Sequence, residues 1–111
     1  MKYSIIIPTY EEKQNIAILI SMIDKYMSKD KIDYEIVVVE DNSPDGTRQE
    51  VEKMMKIFGE DKIKILNRPG KMGLGTAYID GFKLCTGDYI FLMDADFSHH
   101  VRNFFINLFD F

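Results

Sequence analysis

Four short apolar runs, separated by three helical stretches, constrain this chain more than anything else in it. Residues 3–7, 34–39, 63–66 and 89–93 read as strands, while 12–27, 47–58 and 76–85 read as helices. In the first helix the apolar residues Ile16, Leu19, Ile20 and Ile23 recur at helical spacing. The run 34–39 reads as apolar throughout, the pattern of a strand buried on both faces of a parallel sheet. A β-α-β-α-β-α-β succession predicts an α/β fold, a doubly wound parallel sheet with right-handed crossovers. The commonest order for such a sheet is 3-2-1-4.

That order makes strands 2, 1 and 4 neighbours, about 4.8 Å apart. Ligands bind outside the carboxyl ends of strands in such sheets. Three polar segments fall there: Pro8-Thr9-Tyr10-Glu11-Glu12, Glu40-Asp41-Asn42 and Asp94-Ala95-Asp96. Spacing alone sets Asp41 and the Asp94/Asp96 pair roughly 10 Å apart across one crevice. A base and ribose would fit one side and a metal-bound diphosphate the other.

The acidic pair follows the apolar run directly, as Met93-Asp94-Ala95-Asp96. Two like charges at a strand end repel unless a cation or hydrogen-bond donors lie between them. Oxygen ligands suit hard divalent ions such as Mg²⁺ or Mn²⁺, which also hold phosphates. His99 and His100 follow closely, but adjacent side chains do not readily share one ion, so they read as loop hydrogen bonders. Gly73-Leu74-Gly75 precedes a helix, yet it follows strand 3 and has Tyr78 where a third glycine would stand, which argues against a nicotinamide site. Its glycines suit a tight loop and close helix packing. Arg68 and Lys71 read as solvated cations, with a diphosphate as the alternative partner. Glu11 and Glu12 begin the first helix, where acidic groups favour the dipole. Thr47, with Glu50 three residues on, reads as a capping box for the second helix.

With 111 residues the chain is one domain, large enough for a core. Hydrophobic residues at 46% and charged residues at 29% are globular rather than disordered composition. A net charge of −4 argues against nucleic-acid partners. Cys85, the single cysteine, forms no internal disulfide and reads as a core residue on the third helix. No apolar run approaches the ~20 residues of a membrane span, and the first residues lack the pattern of a signal peptide. The expectation is a soluble, cytosol-facing domain, compatible with peripheral membrane work.

Taken together, Pro8-Thr9-Tyr10-Glu11-Glu12, Glu40-Asp41-Asn42-Ser43-Pro44-Asp45-Gly46-Thr47, Arg68-Pro69-Gly70-Lys71-Met72-Gly73-Leu74-Gly75-Thr76-Ala77-Tyr78 and Asp94-Ala95-Asp96-Phe97-Ser98-His99-His100 resemble the family 2 glycosyltransferases. Within that family they are most similar to the branch that charges dolichyl phosphate. The resemblance covers almost the whole chain, in order. It implies a nucleotide-diphospho-sugar fold of the GT-A type and inverting transfer of mannose from GDP-mannose to dolichyl phosphate. The product, dolichyl phosphate mannose, would serve protein glycosylation and GPI-anchor synthesis. It implies that Pro8, Tyr10 and Glu12 line the nucleotide pocket, that Val39 and Asp41 meet base and ribose, and that Asp94 and Asp96 hold Mg²⁺ or Mn²⁺. Ala95 would offer its backbone to the diphosphate. It further implies peripheral work at the cytosolic face of the endoplasmic reticulum membrane, with small membrane-anchoring subunits as partners.

Two readings stay beside this one: a polyprenyl-phosphate transferase using UDP-glucose or another sugar nucleotide, and a catalytically inactive nucleotide-binding or assembly fragment. Val101 stands where the family usually has proline after the second histidine. The chain also stops at Phe111, soon after the acidic pair. The resemblance therefore implies only the amino-terminal part of a larger catalytic domain, weak or inactive alone. The stretch Phe104-Phe105-Ile106-Asn107-Leu108-Phe109 is apolar enough to favour association.

Overall fold

The computed structural model describes residues 1–70 and 72–95. Strands and helices alternate there as β1 (Lys2–Thr9), α1 (Lys13–Lys29), β2 (Asp33–Glu40), α2 (Thr47–Phe58), β3 (Ile63–Asn67), α3 (Leu74–Phe82) and β4 (Tyr89–Leu92). All strand pairings are parallel, in the expected order β3-β2-β1-β4. Lys71, Asp96, His99, His100, Val101 and the apolar stretch 104–109 lie outside the described residues.

Strand alternation divides the core between the two faces. Ile5, Ile7, Ile36 and Val38 form one face with Ile63, and α1 covers it with Ile16, Leu19, Ile20, Ile23 and Met27, all fully buried. Burying an aliphatic side chain of this size stabilises by about 1.5–3 kcal/mol, so α1 is held by its stripe rather than by helix propensity. The other face presents Ile6 and Val39 to Ala77 on α3. There α3 lies very close to the sheet: a Cβ on Gly81 would stand 2.8 Å from Cγ2 of Ile6 and 3.0 Å from Cγ2 of Val39. Glycine is required by that approach.

Several local expectations are corrected. Thr47 opens α2 as its first residue, behind Gly46 at φ 96°, and no capping box forms. Instead Asp45 accepts the Thr47 N–H at 3.0 Å and its hydroxyl at 2.5 Å, while the same hydroxyl oxygen accepts the Glu12 N–H at 3.0 Å. Glu50 pairs with Lys53. The helix α3 closes at Phe82, because the N–H groups of Lys83, Leu84 and Cys85 bond three residues back and tighten the chain into turns. Cys85 therefore lies beyond the helix, partly buried, with its thiol 3.4 Å from the Gly81 carbonyl oxygen. Burial pushes that thiol up.

Glu35 breaks the run expected to be apolar throughout. It is fully buried, and its carboxylate accepts from Lys64 at 2.7 Å, the Ser4 hydroxyl at 2.6 Å, and the Thr86 hydroxyl at 2.9 Å and backbone N–H. Lys2 Nζ adds an ion pair at 3.3 Å. Burial alone would raise this carboxyl, but these contacts outweigh it and hold the group down at about 2. The cluster sits at the amino end of the sheet, where Ser4 pairs with Glu35, and fastens the segment leading into β4. Its amphipathic lysines reach it along the strand faces.

Candidate active site

At the opposite end, the carboxyl ends of β1, β2 and β4 open into a cleft of about 270 Å³ lined by Pro8, Thr9, Tyr10, Glu12, Asp41, Gly73, Leu74, Ala77, Asp94 and Ala95. Neighbouring strands separate here. The Met93 N–H still donates to the Ile6 carbonyl at 3.0 Å, and beyond it β4 no longer pairs with β1. Pro8, two residues on, carries no N–H to leave unpaired where the ladder stops. On the other side the Asp41 N–H continues toward β1, donating to the Thr9 carbonyl at 3.1 Å. The cleft is thus framed by the ends of β1, β2 and β4, where the β1–β4 ladder stops and the β1–β2 side continues one hydrogen bond further.

Six residues expected in the site line this one cleft: Pro8, Tyr10, Glu12, Asp41, Asp94 and Ala95. Glu12 ends the approach to α1, with Asn15 Nδ2 donating to its carboxylate at 3.0 Å. Val39 stands apart. It is fully buried against α3, and its carbonyl oxygen accepts the Thr9 hydroxyl at 3.2 Å. Its strand position directs it to the sheet face, so it supports the cleft from beneath. Asp96 lies outside the described residues.

The cleft is also the meeting place of carboxylates. Asp94, Glu12 and Asp41 all line it. Among the described residues no group of three or more acidic, histidine or cysteine side chains is close enough to hold a metal ion. Asp94 nevertheless offers the hard oxygen donor that Mg²⁺ or Mn²⁺ takes, beside open space for phosphate and water ligands. Burial, and after it the charge of Asp94, pushes the Tyr78 hydroxyl up.

Arg68 corrects the sequence reading most sharply. It is no solvated cation but 5% exposed. Its Nε donates to Asp41 Oδ1 at 2.6 Å and its Nη2 to Asp41 Oδ2 at 2.8 Å, a bidentate pair. Its Nη1 donates to the Thr76 hydroxyl at 3.1 Å and to Asp80 at 3.2 Å, both on α3. The Asp41 hydrogen bonds, ahead of Asp80, raise the guanidinium further above its ordinary value against burial. The signal for this pair was present in the strand register: Glu40 pairs with Asn67, so the next residues on each strand emerge side by side. Thr9, Gly73, Leu74 and Ala77 were also missed as lining residues. The glycine run foretold a tight loop, and Gly73, at φ 94°, turns the chain into α3 so that Leu74 borders the cleft.

Known proteins resemble this chain in sequence and fold. The pattern of Glycosyl transferase family 2 matches residues 4–105. A dolichol-phosphate mannosyltransferase of Pyrococcus furiosus is 43% identical over 99 residues, covering 89% of this chain and 27% of its own length. The enzyme of that name from Saccharomyces cerevisiae is 35% identical over 100 residues, covering 89% of this chain and 37% of its own. Among solved structures, the mannosyltransferase PcManGT from Pyrobaculum calidifontis, in complex with GDP-Man and Mn²⁺, superposes with a TM-score of 0.74 at 26% identity, over 85% of this chain and 27% of that one. The chain thus spans between 27% and 37% of the length of these curated relatives. With the GT-A-like sheet order, the cleft at the strand ends and the match over most of its residues, the chain belongs to glycosyl transferase family 2.

Proposed function

We propose that this chain forms the sugar-nucleotide-binding part of an enzyme that transfers mannose from GDP-mannose to dolichyl phosphate or a related polyprenyl phosphate. The observation that carries the reading is the gathering of Pro8, Tyr10, Glu12, Asp41, Asp94 and Ala95 in one cleft. The names of the relatives and the GDP-Man and Mn²⁺ of the superposed structure support it. Asp41 accepts from the base, Pro8 and Tyr10 shape the nucleotide wall, and the Ala95 backbone meets the diphosphate. When bound, a Mg²⁺ or Mn²⁺ ion held by Asp94 and Asp96 supplies neutralisation of the charge on the departing diphosphate. The acceptor is a phosphate oxygen, already a nucleophile, so inverting attack needs little help from a base.

A lipid acceptor brings the enzyme to a membrane surface, and no helix among the described residues is long and apolar enough to cross one. From the lipid acceptor, we place its work peripherally, at the cytosolic face of the endoplasmic reticulum membrane. Small membrane subunits would anchor it there, and its product would serve protein glycosylation and GPI-anchor synthesis. Calorimetric titration of GDP and UDP tests the donor and metal assignments together. GDP is expected to bind more tightly than UDP, with Mn²⁺ strengthening GDP in the wild type and not in Asp94→Asn. Affinity that ignores Mn²⁺ removes the metal assignment, and a preference for UDP turns the reading toward UDP-sugar donors.

A further inference from the structure

The turn between β1 and α1 carries one wall of the cleft, and side chains from the loop between β2 and α2 hold it in place. No side chain caps α1 from its own Glu12. Instead the Glu11 N–H donates to the Ser43 hydroxyl at 2.9 Å, and the Glu12 N–H donates to the Thr47 hydroxyl at 3.0 Å. Ser43 is fixed in turn. Asn42 turns the chain at φ 56°, and the Ser43 N–H donates to buried Glu40 at 3.0 Å. A buried carboxylate at the end of β2 thus anchors a hydroxyl, and the hydroxyl anchors a backbone amide of the neighbouring loop.

That amide lies at a strained place. Glu11 stands at φ 55°, a left-handed conformation that glycine and asparagine take readily and glutamate does not. Glu11 is exposed and outside the cleft lining, so packing of its side chain does not hold the turn. Such backbone persists where its surroundings enforce it, and it gathers at ligand sites. The Glu11 N–H belongs to the planar peptide unit that joins Glu11 to Tyr10, and Tyr10 lines the cleft. Ser43 itself does not. We propose that Ser43 is a positioning residue for the nucleotide: by gripping the peptide after Tyr10, it holds the tyrosine against the bound ligand. This rests on the reading of the cleft as a GDP-sugar site and deepens it, because a side chain outside the lining then sets affinity through one that lies in it.

Titration of GDP into the full chain with Mn²⁺, beside thermal melting of each variant, tests the proposal. Ser43→Ala removes the acceptor and should weaken GDP by about fivefold to tenfold, the scale of one lost hydrogen bond. Ser43→Thr, which keeps the hydroxyl, should bind GDP at the wild-type level. A merely structural serine would lower the melting temperature of S43A and leave the affinity of the folded protein unchanged, and that result overturns the proposal. A double-mutant cycle shows whether Ser43 acts through Tyr10. In a Tyr10→Ala background S43A should weaken GDP no further, whereas a full additional loss means that the hydroxyl meets the nucleotide directly and overturns the positioning role. Tyr10→Ala binding GDP as tightly as wild type overturns it equally. Should S43A fail to melt cooperatively, Ser43→Cys, a weaker acceptor of similar shape, takes its place in every arm. A wild-type chain that binds no GDP removes the GDP reading and this inference with it. Wild-type GDP binding that ignores Ser43 removes this inference alone.

Discussion

Two buried carboxylates, one at each end of the same sheet, are held by cations in different ways. Glu35 at the amino end is 0% exposed and is surrounded by Lys64, Lys2, Ser4 and Thr86. Asp41 at the carboxyl end is 6% exposed, takes both its ionic contacts from Arg68, and lines the cleft. Burial and pairing alone do not separate a structural acid from a binding one. The difference lies in partners and place: Glu35 is bonded from several elements at the amino end, whereas Asp41 is paired with Arg68 at the edge of the cleft.

The hardest way to break the comparison is to delete the enclosed acid. Glu35→Ala strands two lysines and two hydroxyls around an apolar hole, and is expected to cost about 3–5 kcal/mol of stability in urea unfolding. Little loss would mean that water replaces the carboxylate there. Acid does the same gradually. The Glu35 carboxyl titrates at about 2 when folded against an ordinary 4.5, so its contribution is present above pH 4.5 and is lost as pH falls through 2. That contribution amounts to roughly 3 kcal/mol. Unfolding midpoints between pH 6 and pH 2 should trace this loss, and Glu35→Gln should flatten the profile while leaving nucleotide affinity at the wild-type level.

A smaller effect is expected from the acid that lines the cleft. Asp41→Ala should weaken GDP by ~1–3 kcal/mol, the cost of leaving buried polar groups unpaired. If it instead lowers stability as much as Glu35→Ala and leaves GDP affinity intact in the folded fraction, the two ends are alike and Asp41 is structural. Smallest is Asp45→Ala, beside the cleft but outside its lining. Loss of its hydrogen bonds to Thr47 should cost about 1 kcal/mol of stability, with no change in the GDP-to-UDP ratio by titration. The Thr47 hydroxyl bond, ahead of the other contacts, holds the Asp45 carboxyl below the usual carboxylate range, so this loss too should fade in acid.

The element types and the strand order were legible because periodicity and handedness leave few alternatives for such a chain. The site was legible at strand ends for the same reason: once the order is known, Pro8, Asp41 and Asp94 must converge. Partner choice was harder to read. Arg68 looks like any loop cation until the pairing of Glu40 with Asn67 sets it beside Asp41. Glu35 hides within an apolar run because its partners, Lys64 and Thr86, come from segments far along the chain. Val39 falls outside the cleft lining, its side chain turned by strand alternation onto the face covered by α3.

The contacts that fasten the entry to β4 have a consequence for the order of assembly. Glu35 reaches Thr86 across 51 positions, the Gly87 N–H reaches the Ser4 hydroxyl across 83, and the Lys2 N–H reaches Asp88 across 86. Closing loops of that length is slow compared with pairing β1 and β2 through α1. We therefore expect β4, which carries Asp94 to the cleft, to pair with β1 after β1, β2 and β3 have come together. The cleft is then a late product of folding, completed only when β4 has joined the sheet.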